Sequence, residues 1–204
     1  MTTHTDYEEI ISPNIYYDKS FEIEAAKIMP GEYYVTARDM MMVTVLGSCV
    51  AACIRDRSGG IGGMNHFMLP DDKRDGSDLL SASTRYGTYA MEKMINELYK
   101  MGAKRGDLEA KVFGGGNVLR GFTVGNVGER NAEFVLNYLH AENIAIAAQD
   151  MLDIYPRKVY FFPRTGKVLV KSLRNAHNDT IIEREQAYSS RLRVADVQGD
   201  VELF

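Results

Sequence analysis

Cysteine is scarce in this chain: Cys49 and Cys53 are the two among 204 residues. Lying four positions apart, they cannot staple a fold of this size, so a disulfide framework is a poor reading and at least one is read as a reactive thiol. Long apolar runs are missing too. Residues 43–46 and 50–54 are the most continuous, far short of the roughly 20 needed to span a bilayer, so no membrane insertion is expected. The opening MTTHTDYEEI is acidic and lacks a basic stretch leading into an apolar one, which argues against a secretion signal and for a cytoplasmic protein. Basic excess is absent as well. With 24 Lys and Arg against 28 Asp and Glu, the net charge is −4 and the pI near 5.6, so the footprint of a nucleic-acid binder is missing. What remains is globular in proportion, 45% hydrophobic and 25% charged, with length for one domain and no internal repeat.

Residues 1–20 mix acids and tyrosines around a Ser12-Pro13-Asn14 breaker and read as a loosely attached arm. Short β-rich runs at 21–28 and 33–37 are split by the turn signal Pro30-Gly31. Residues 42–54 predict a strand, a bend at Gly47-Ser48 and a second extended run, which sets Cys49 just after the bend. Gly59-Gly60 then turns the chain into 61–69, a hairpin-like return carrying His66. Residues 71–82 read as a loop. Apolar positions Tyr86, Ala90, Met94, Leu98 and Met101 recur at helical spacing over 84–101, with Gly102 as a C-cap. A strand over 108–113, a helix over 129–142, a strand over 144–152 and a hairpin over 157–173 follow. Beyond Asn175 the chain is polar and reads as a partly ordered tail. The expected organisation is an arm at 1–20, a domain at 21–174 and a tail at 175–204. With strands outnumbering helices and no strict alternation, the expected class is α/β in the α+β sense: a mixed, layered sheet or sandwich with flanking helices.

Chemistry concentrates in VTVLGSCVAACIRD and GGIGGMNHFMLP. A thiol becomes a strong nucleophile when a nearby histidine takes its proton, and the hairpin geometry lets Cys49 and His66 face each other. Two duller readings stand beside this one. An unpaired Cys is often a small core hydrophobe, and a lone His in a strand is often a hydrogen-bonded core residue. A metal site from Cys49, Cys53 and His66 lacks the paired spacing of zinc sites, and no metal is expected. Gly114-Gly115-Gly116-Asn117 lacks the Lys-Ser/Thr of a P-loop, so it reads as a tight turn and no nucleotide is assigned. Cys53 reads as a packed thiol on the same strand face as Cys49. His4, His140 and His177, on tails or helix ends, read as solvated.

The strings Leu46-Gly47-Ser48-Cys49-Val50 and Gly62-Gly63-Met64-Asn65-His66-Phe67-Met68-Leu69-Pro70 resemble the signature of CheD, the bacterial chemoreceptor glutamine deamidase family. Arg85-Tyr86-Gly87, Lys111-Val112-Phe113-Gly114-Gly115, Gly128-Glu129-Arg130-Asn131 and Pro156-Arg157-Lys158-Val159 extend the resemblance in order, over about residues 32–173. It implies a fold shared with glutamine-deamidating bacterial toxins, Cys49 as nucleophile and His66 as base. It further implies protein-glutamine glutaminase activity on the cytoplasmic helices of chemoreceptors without a small-molecule cofactor. Hydrolysis of a glutamyl methyl ester would use the same acyl chemistry. The resemblance also implies binding to a CheC-type phosphatase, which leaves a contrasting reading: a chemotaxis interaction module, with or without catalysis. Backbone N–H groups at the Gly47-Ser48 bend are the expected oxyanion donors. Some members carry a Thr six residues before the cysteine as a third group, where this chain has Val43, with Thr44 next. Strand alternation favours a main-chain carbonyl, from Val43 or a neighbour, over the Thr44 hydroxyl as the group that orients His66.

Overall fold

The computed structural model describes residues 14–70, 79–118, 127–174 and 179–194. Among the described residues, ten strands form two five-stranded sheets, and three α-helices accompany them. The first sheet takes β1 (Asn14–Asp18), β2 (Ile23–Lys27), β4 (Met41–Leu46), β9 (Arg157–Phe162) and β10 (Lys167–Ser172), in the order β1-β2-β4-β9-β10. The second takes β3 (Tyr33–Thr36), β5 (Val50–Asp56), β6 (Gly62–Asn65), β7 (Leu108–Gly114) and β8 (Ala145–Met151), in the order β3-β6-β5-β7-β8. Pairs β2/β4 and β7/β8 are parallel and the rest antiparallel, so the class is a mixed α/β fold. Among the described residues, no helix is long and apolar enough to cross a membrane.

Strand alternation builds two cores from the second sheet. Val50, Ala52 and Ile54 point one way, into a cluster closed by Met91, Met94, Ile95 and Leu98 of α1 (Leu79–Lys100) and Val135 and Leu139 of α2 (Val127–Ala141). Cys49, Ala51 and Cys53 point the other way, against Met42, Leu46, Val159 and Phe161 of the first sheet. The layers are thus helices, sheet and sheet. The outer face of the first sheet carries Ala25, Met41 and Val43 with Tyr16, Tyr160 and Phe162, and Phe21 packs tilted against Tyr160 and edge-on to Phe162.

Two boundaries differ from the sequence reading. Residues 14–18, taken as part of an arm, form β1, which pairs along its length with β2 and covers the outer face with Tyr16. The polar stretch taken as a tail carries α3 (Asp179–Val194), which buries Glu185 and Tyr188. Its composition hides it because few of its side chains are apolar. Helix α1 also begins at Leu79, inside the stretch read as a loop; residues 71–78 lie outside the described residues.

At the end of the sheet far from the helix α3 contacts, Asp56 closes the β5–β6 turn. Its Oδ1 accepts from the Ser58 and Gly59 amides at 2.7 Å each and from the Ser58 hydroxyl at 2.8 Å, and its Oδ2 accepts from the Lys104 amide at 2.7 Å. Burial opposes ionisation, but these donors outweigh it and hold the carboxyl at about 2, below its usual 3.8. A lowered pKa adds stability that is fully present above the unfolded value and is lost as pH falls through the folded one. Asp56→Asn is expected to cost about 2–3 kcal/mol near neutrality, since hydrogen bonds to a charged acceptor are lost. In urea titrations the gap from wild type should hold above about pH 5 and close between roughly 4 and 2. A gap that does not change with pH would show that charge is not what the turn uses.

Candidate active site

The bend between β4 and β5 is fixed from behind. Gly115 and Gly116, which follow β7, donate their amides to the carbonyls of Cys49 and Gly47 at 2.8 Å each. The Ser48 carbonyl accepts from Asn131 Nδ2 of α2 at 2.9 Å, while Asn131 Oδ1 accepts the Leu69 amide at 2.8 Å. The Gly47 and Ser48 carbonyls share their peptide groups with the Ser48 and Cys49 amides, so turning these carbonyls one way turns those two amides the other way, where with the Gly47 amide they form a concave nest of donors. The close approach needs glycine: a Cβ on Gly114, at φ +109°, would stand 2.2 Å from the Cys49 carbonyl oxygen. The Gly-rich run is therefore a tight backbone contact supporting the bend.

The nest holds a carboxylate of the chain itself. Glu185 Oε1 accepts from the Gly47 and Cys49 amides at 3.0 Å each, and Oε2 accepts from the Ser48 amide at 2.9 Å and the Ser48 hydroxyl at 2.7 Å. Gly47 is needed here as well, because a Cβ would lie 2.8 and 2.9 Å from the two carboxylate oxygens.

Cys49 and His66 share the face between the sheets. The bridge pairing Val50 with Phe67 sets their neighbours Cys49 and His66 as diagonal partners on that face. His66 is fastened by its own backbone, its amide donating to the Glu32 carbonyl at 3.0 Å and its carbonyl accepting the Gly31 amide at 2.7 Å. Thr44, on the inward face of β4 with Met42 and Leu46, lies with its Oγ1 2.8 Å from His66 Nδ1 and donates its proton to the Ile28 carbonyl at 2.8 Å. Since that hydroxyl proton is already placed, Oγ1 accepts from Nδ1–H, and the neutral ring keeps its lone pair on Nε2. Nε2 is buried and has no hydrogen-bond partner among the described residues.

At His66 Nδ1 the structure places the Thr44 hydroxyl, where a main-chain carbonyl of Val43 or a neighbour was expected. The Val43 carbonyl accepts the Ile28 amide at 2.9 Å within the sheet, and the Val43 side chain faces outward. Alternation does separate Val43 from Thr44, but the inward face is the one with Thr44. Counting back from Cys49 crosses the bend, where strand parity is not kept. The carbonyl that takes part belongs to Ile28, beside Thr44.

Both proposed reacting groups are covered, with Cys49 0% and His66 2% exposed. Burial, then the neighbouring Glu185 carboxylate, pushes the Cys49 thiol well above its usual range. Burial pulls the His66 imidazole down to about 4, against the opposing influence of Glu185. The resting pair is thus a neutral thiol and a neutral imidazole. Cys53 is a buried thiol in the inter-sheet core, raised by burial, and has none of these polar neighbours. His140 is exposed at the end of α2, while His4 and His177 lie outside the described residues. No group of three metal-ligating side chains occurs among the described residues.

Sequence reasoning missed Glu185, Tyr188 and the role of Asn131. The signal for the first two is a spacing: Ile181, Glu185, Tyr188 and Leu192 fall on one helical stripe within an otherwise polar run. Tyr188 packs against Gly31, and its hydroxyl hydrogen-bonds that of Tyr86, from the Arg85-Tyr86-Gly87 string.

The family model described as CheD chemotactic sensory transduction matches residues 68–172. The chain is 65% identical over 197 residues to the probable chemoreceptor glutamine deamidase CheD of Thiobacillus denitrificans, covering 97% of this chain and 98% of that protein. It is 64% identical to the protein of the same name from Janthinobacterium sp., with 97% of each covered. To the probable chemoreceptor glutamine deamidase CheD 1 of Shewanella oneidensis it is 58% identical, over 94% of this chain and 93% of the other.

Removing Asn131 leaves the Ser48 carbonyl and the Leu69 amide buried without partners. Asn131→Ala is expected to lower stability by about 2–4 kcal/mol, read by urea denaturation. Asn131→Asp, which keeps the acceptor and loses the donor, should retain part of that stability. A loss below about 1 kcal/mol in Asn131→Ala would show that the bend holds its shape without α2.

Proposed function

This chain belongs to the CheD family, and on that premise we propose that it hydrolyses glutamine side chains of chemoreceptors to glutamate through a thioester on Cys49. The observation that carries the reading is the nest of Gly47, Ser48 and Cys49 amides beside a buried thiol, with an unpartnered His66 Nε2 on the same face. In this reading the substrate carboxamide oxygen enters the nest. Cys49 Sγ attacks the carboxamide carbon while His66 Nε2 takes the thiol proton, so thiolate forms only as it is used. The tetrahedral oxyanion is held by the backbone donors, each worth roughly 3 kcal/mol of transition-state stabilisation. His66 passes its proton to the departing nitrogen, the C–N bond breaks and ammonia leaves. Water, deprotonated by His66, then cleaves the thioester and restores the thiol, leaving a glutamate carboxylate.

Thr44 is the positioning group in this scheme. By accepting from Nδ1–H, with the Ile28 carbonyl taking its own proton, it keeps Nε2 free to act as a base. Cys53 has no role. No small-molecule cofactor is needed, and a glutamyl methyl ester would enter by the same route. The partners in this reading are the cytoplasmic helices of chemoreceptors and a CheC-type phosphatase. A likeness to the glutamine-deamidating bacterial toxins belongs to the same proposal.

Receptor incubated with each variant and followed by mass spectrometry tests the scheme through the glutamine-to-glutamate gain of about one dalton. Cys49→Ala, Cys49→Ser and His66→Ala are expected to abolish conversion, while Cys53→Ala keeps most of it. Conversion by Cys49→Ala would remove the nucleophile assignment. Thr44→Val strips the Nδ1–H of its hydroxyl partner and is expected to cut turnover by about one to two orders of magnitude, matching roughly 1–3 kcal/mol for a buried unpaired donor. Circular dichroism should show the variant folded. Wild-type turnover in Thr44→Val would mean that the Ile28 carbonyl orients the ring alone.

A further inference from the structure

The scheme above has no use for Glu185, although this side chain fills the centre of the site. Its two oxygens satisfy all three amides of the nest and the Ser48 hydroxyl, the donors to which the scheme gives the oxyanion. Its carboxylate is also the functional group that hydrolysis of a glutamine leaves behind. A helix presents it. Glu185 and Tyr188 are 3% and 5% exposed, Ile181 borders the cleft described below, and Leu192 packs on the inter-sheet core. Glu183, Arg184, Gln186, Ala187, Ser190 and Arg191 face solvent. Helix α3 is thus held along one side, on which Ile182 and Ser189 are half-buried as well.

A cleft of about 310 Å³ runs beside this helix. Ile28, Thr44 and His66 line its inner end, and Ile181, Arg184 and Glu185 form the wall that α3 supplies. With α3 seated, no external side chain can reach Cys49. With α3 lifted, the nest, the thiol and the imidazole would open to one groove.

We propose that α3 is seated in the groove that receives a substrate helix, with Glu185 in the position of the product glutamate, so that the chain carries an internal competitor for its own site. The inference rests on the amide-hydrolase reading and adds to it an occupant of the groove supplied by the chain itself. The occupant it displaces is a helix, and the incoming helix presents one glutamine on an apolar stripe. On α3 the stripe places Ile181 four residues before Glu185, and Tyr188 and Leu192 three and seven after it. Substrate glutamines flanked in this way are the ones the groove fits.

Full-length Glu185→Gln tests the geometry within the molecule. The carboxamide introduced at position 185 lies in the nest beside Cys49. Attack by Cys49 Sγ on its carbon forms the thioester and releases ammonia, which carries off the thiol proton by way of His66. Water then hydrolyses the thioester to the carboxylate and regenerates the thiol. Peptide mass spectrometry is expected to show position 185 gaining about one dalton in a single turnover, and no gain when Cys49→Ala is added. Full-length Glu185→Ala is expected to raise the rate of Cys49 alkylation by iodoacetamide at least tenfold over wild type. Loss of the neighbouring carboxylate favours the thiolate, and opening the cover adds access for the reagent. Alkylation of Glu185→Ala at the wild-type rate overturns the proposal. So does a Glu185→Gln preparation that converts receptor glutamine while its own position 185 stays an amide. If alkylation accelerates but neither position 185 nor receptor is converted, the hydrolase reading fails while the internal cover stands.

Discussion

Three carbonyls at the β4–β5 bend, those of Gly47, Ser48 and Cys49, are tied from behind by the Gly115 and Gly116 amides and the Asn131 side chain. Everything else in the site follows from that constraint. A peptide group whose carbonyl is held on one side must show its N–H on the other, so tying the Gly47 and Ser48 carbonyls at the rear turns the Ser48 and Cys49 amides to the front, while the Cys49 carbonyl's own peptide group gives its N–H, that of Val50, to the Phe67 carbonyl. The supports come from β7, its following Gly-rich turn and α2, and they reach the bend because β7 pairs with β5 along its whole length. The Gly114-Gly115-Gly116 run, which resembles a phosphate cradle on paper, is the rear contact. Its backbone must come within hydrogen-bonding distance of another backbone, and a Cβ at Gly114 forbids that approach.

The second constraint is electrostatic. A nest of amides sealed from water needs an acceptor, since buried donors without partners cost free energy. Glu185 supplies it in the resting molecule. The same carboxylate stands next to the Cys49 thiol and opposes its ionisation, which adds to the cost already set by burial. On the other flank, the Thr44 hydroxyl spends its proton on the Ile28 carbonyl and so fixes which imidazole nitrogen carries the proton. The site is thereby held in a neutral form, with the Cys49 thiol and the His66 imidazole both covered. Among the described side chains of α3, Ile181, Ile182, Tyr188 and Leu192 are the apolar ones that are buried or half-buried.

Much of the scaffold was legible in the sequence because its signals are local. The Gly59-Gly60 and Arg164-Thr165-Gly166 turns announce the β5–β6 and β9–β10 hairpins. The three-and-four spacing of Tyr86, Ala90, Met94 and Leu98 announces α1. What failed was read from composition or from counting. Residues 14–18 look polar and yet pair as an edge strand with one half-covered ring. Helix α3 looks like a tail because few of its side chains are apolar and a glutamate interrupts the stripe of Ile181, Tyr188 and Leu192. The choice between Val43 and Thr44 failed because parity was carried through a bend, and alternation holds only within a strand.

The sequence by itself determined the elements that depend on neighbours within a turn or a hairpin, and it brought Cys49 and His66 into one hairpin, because local periodicity and turn chemistry are properties of short segments. Its resemblance to a known family determined what chemistry to look for at those two residues. Only the tertiary structure decided that Thr44, from the opposite sheet, reaches His66, that Asn131, 83 positions after Ser48, ties that residue's carbonyl, and that Glu185, 137 positions after it, fills the nest. These are contacts between distant segments. Their partners are chosen by how the two sheets and the last helix pack, and no run of neighbouring residues records that choice.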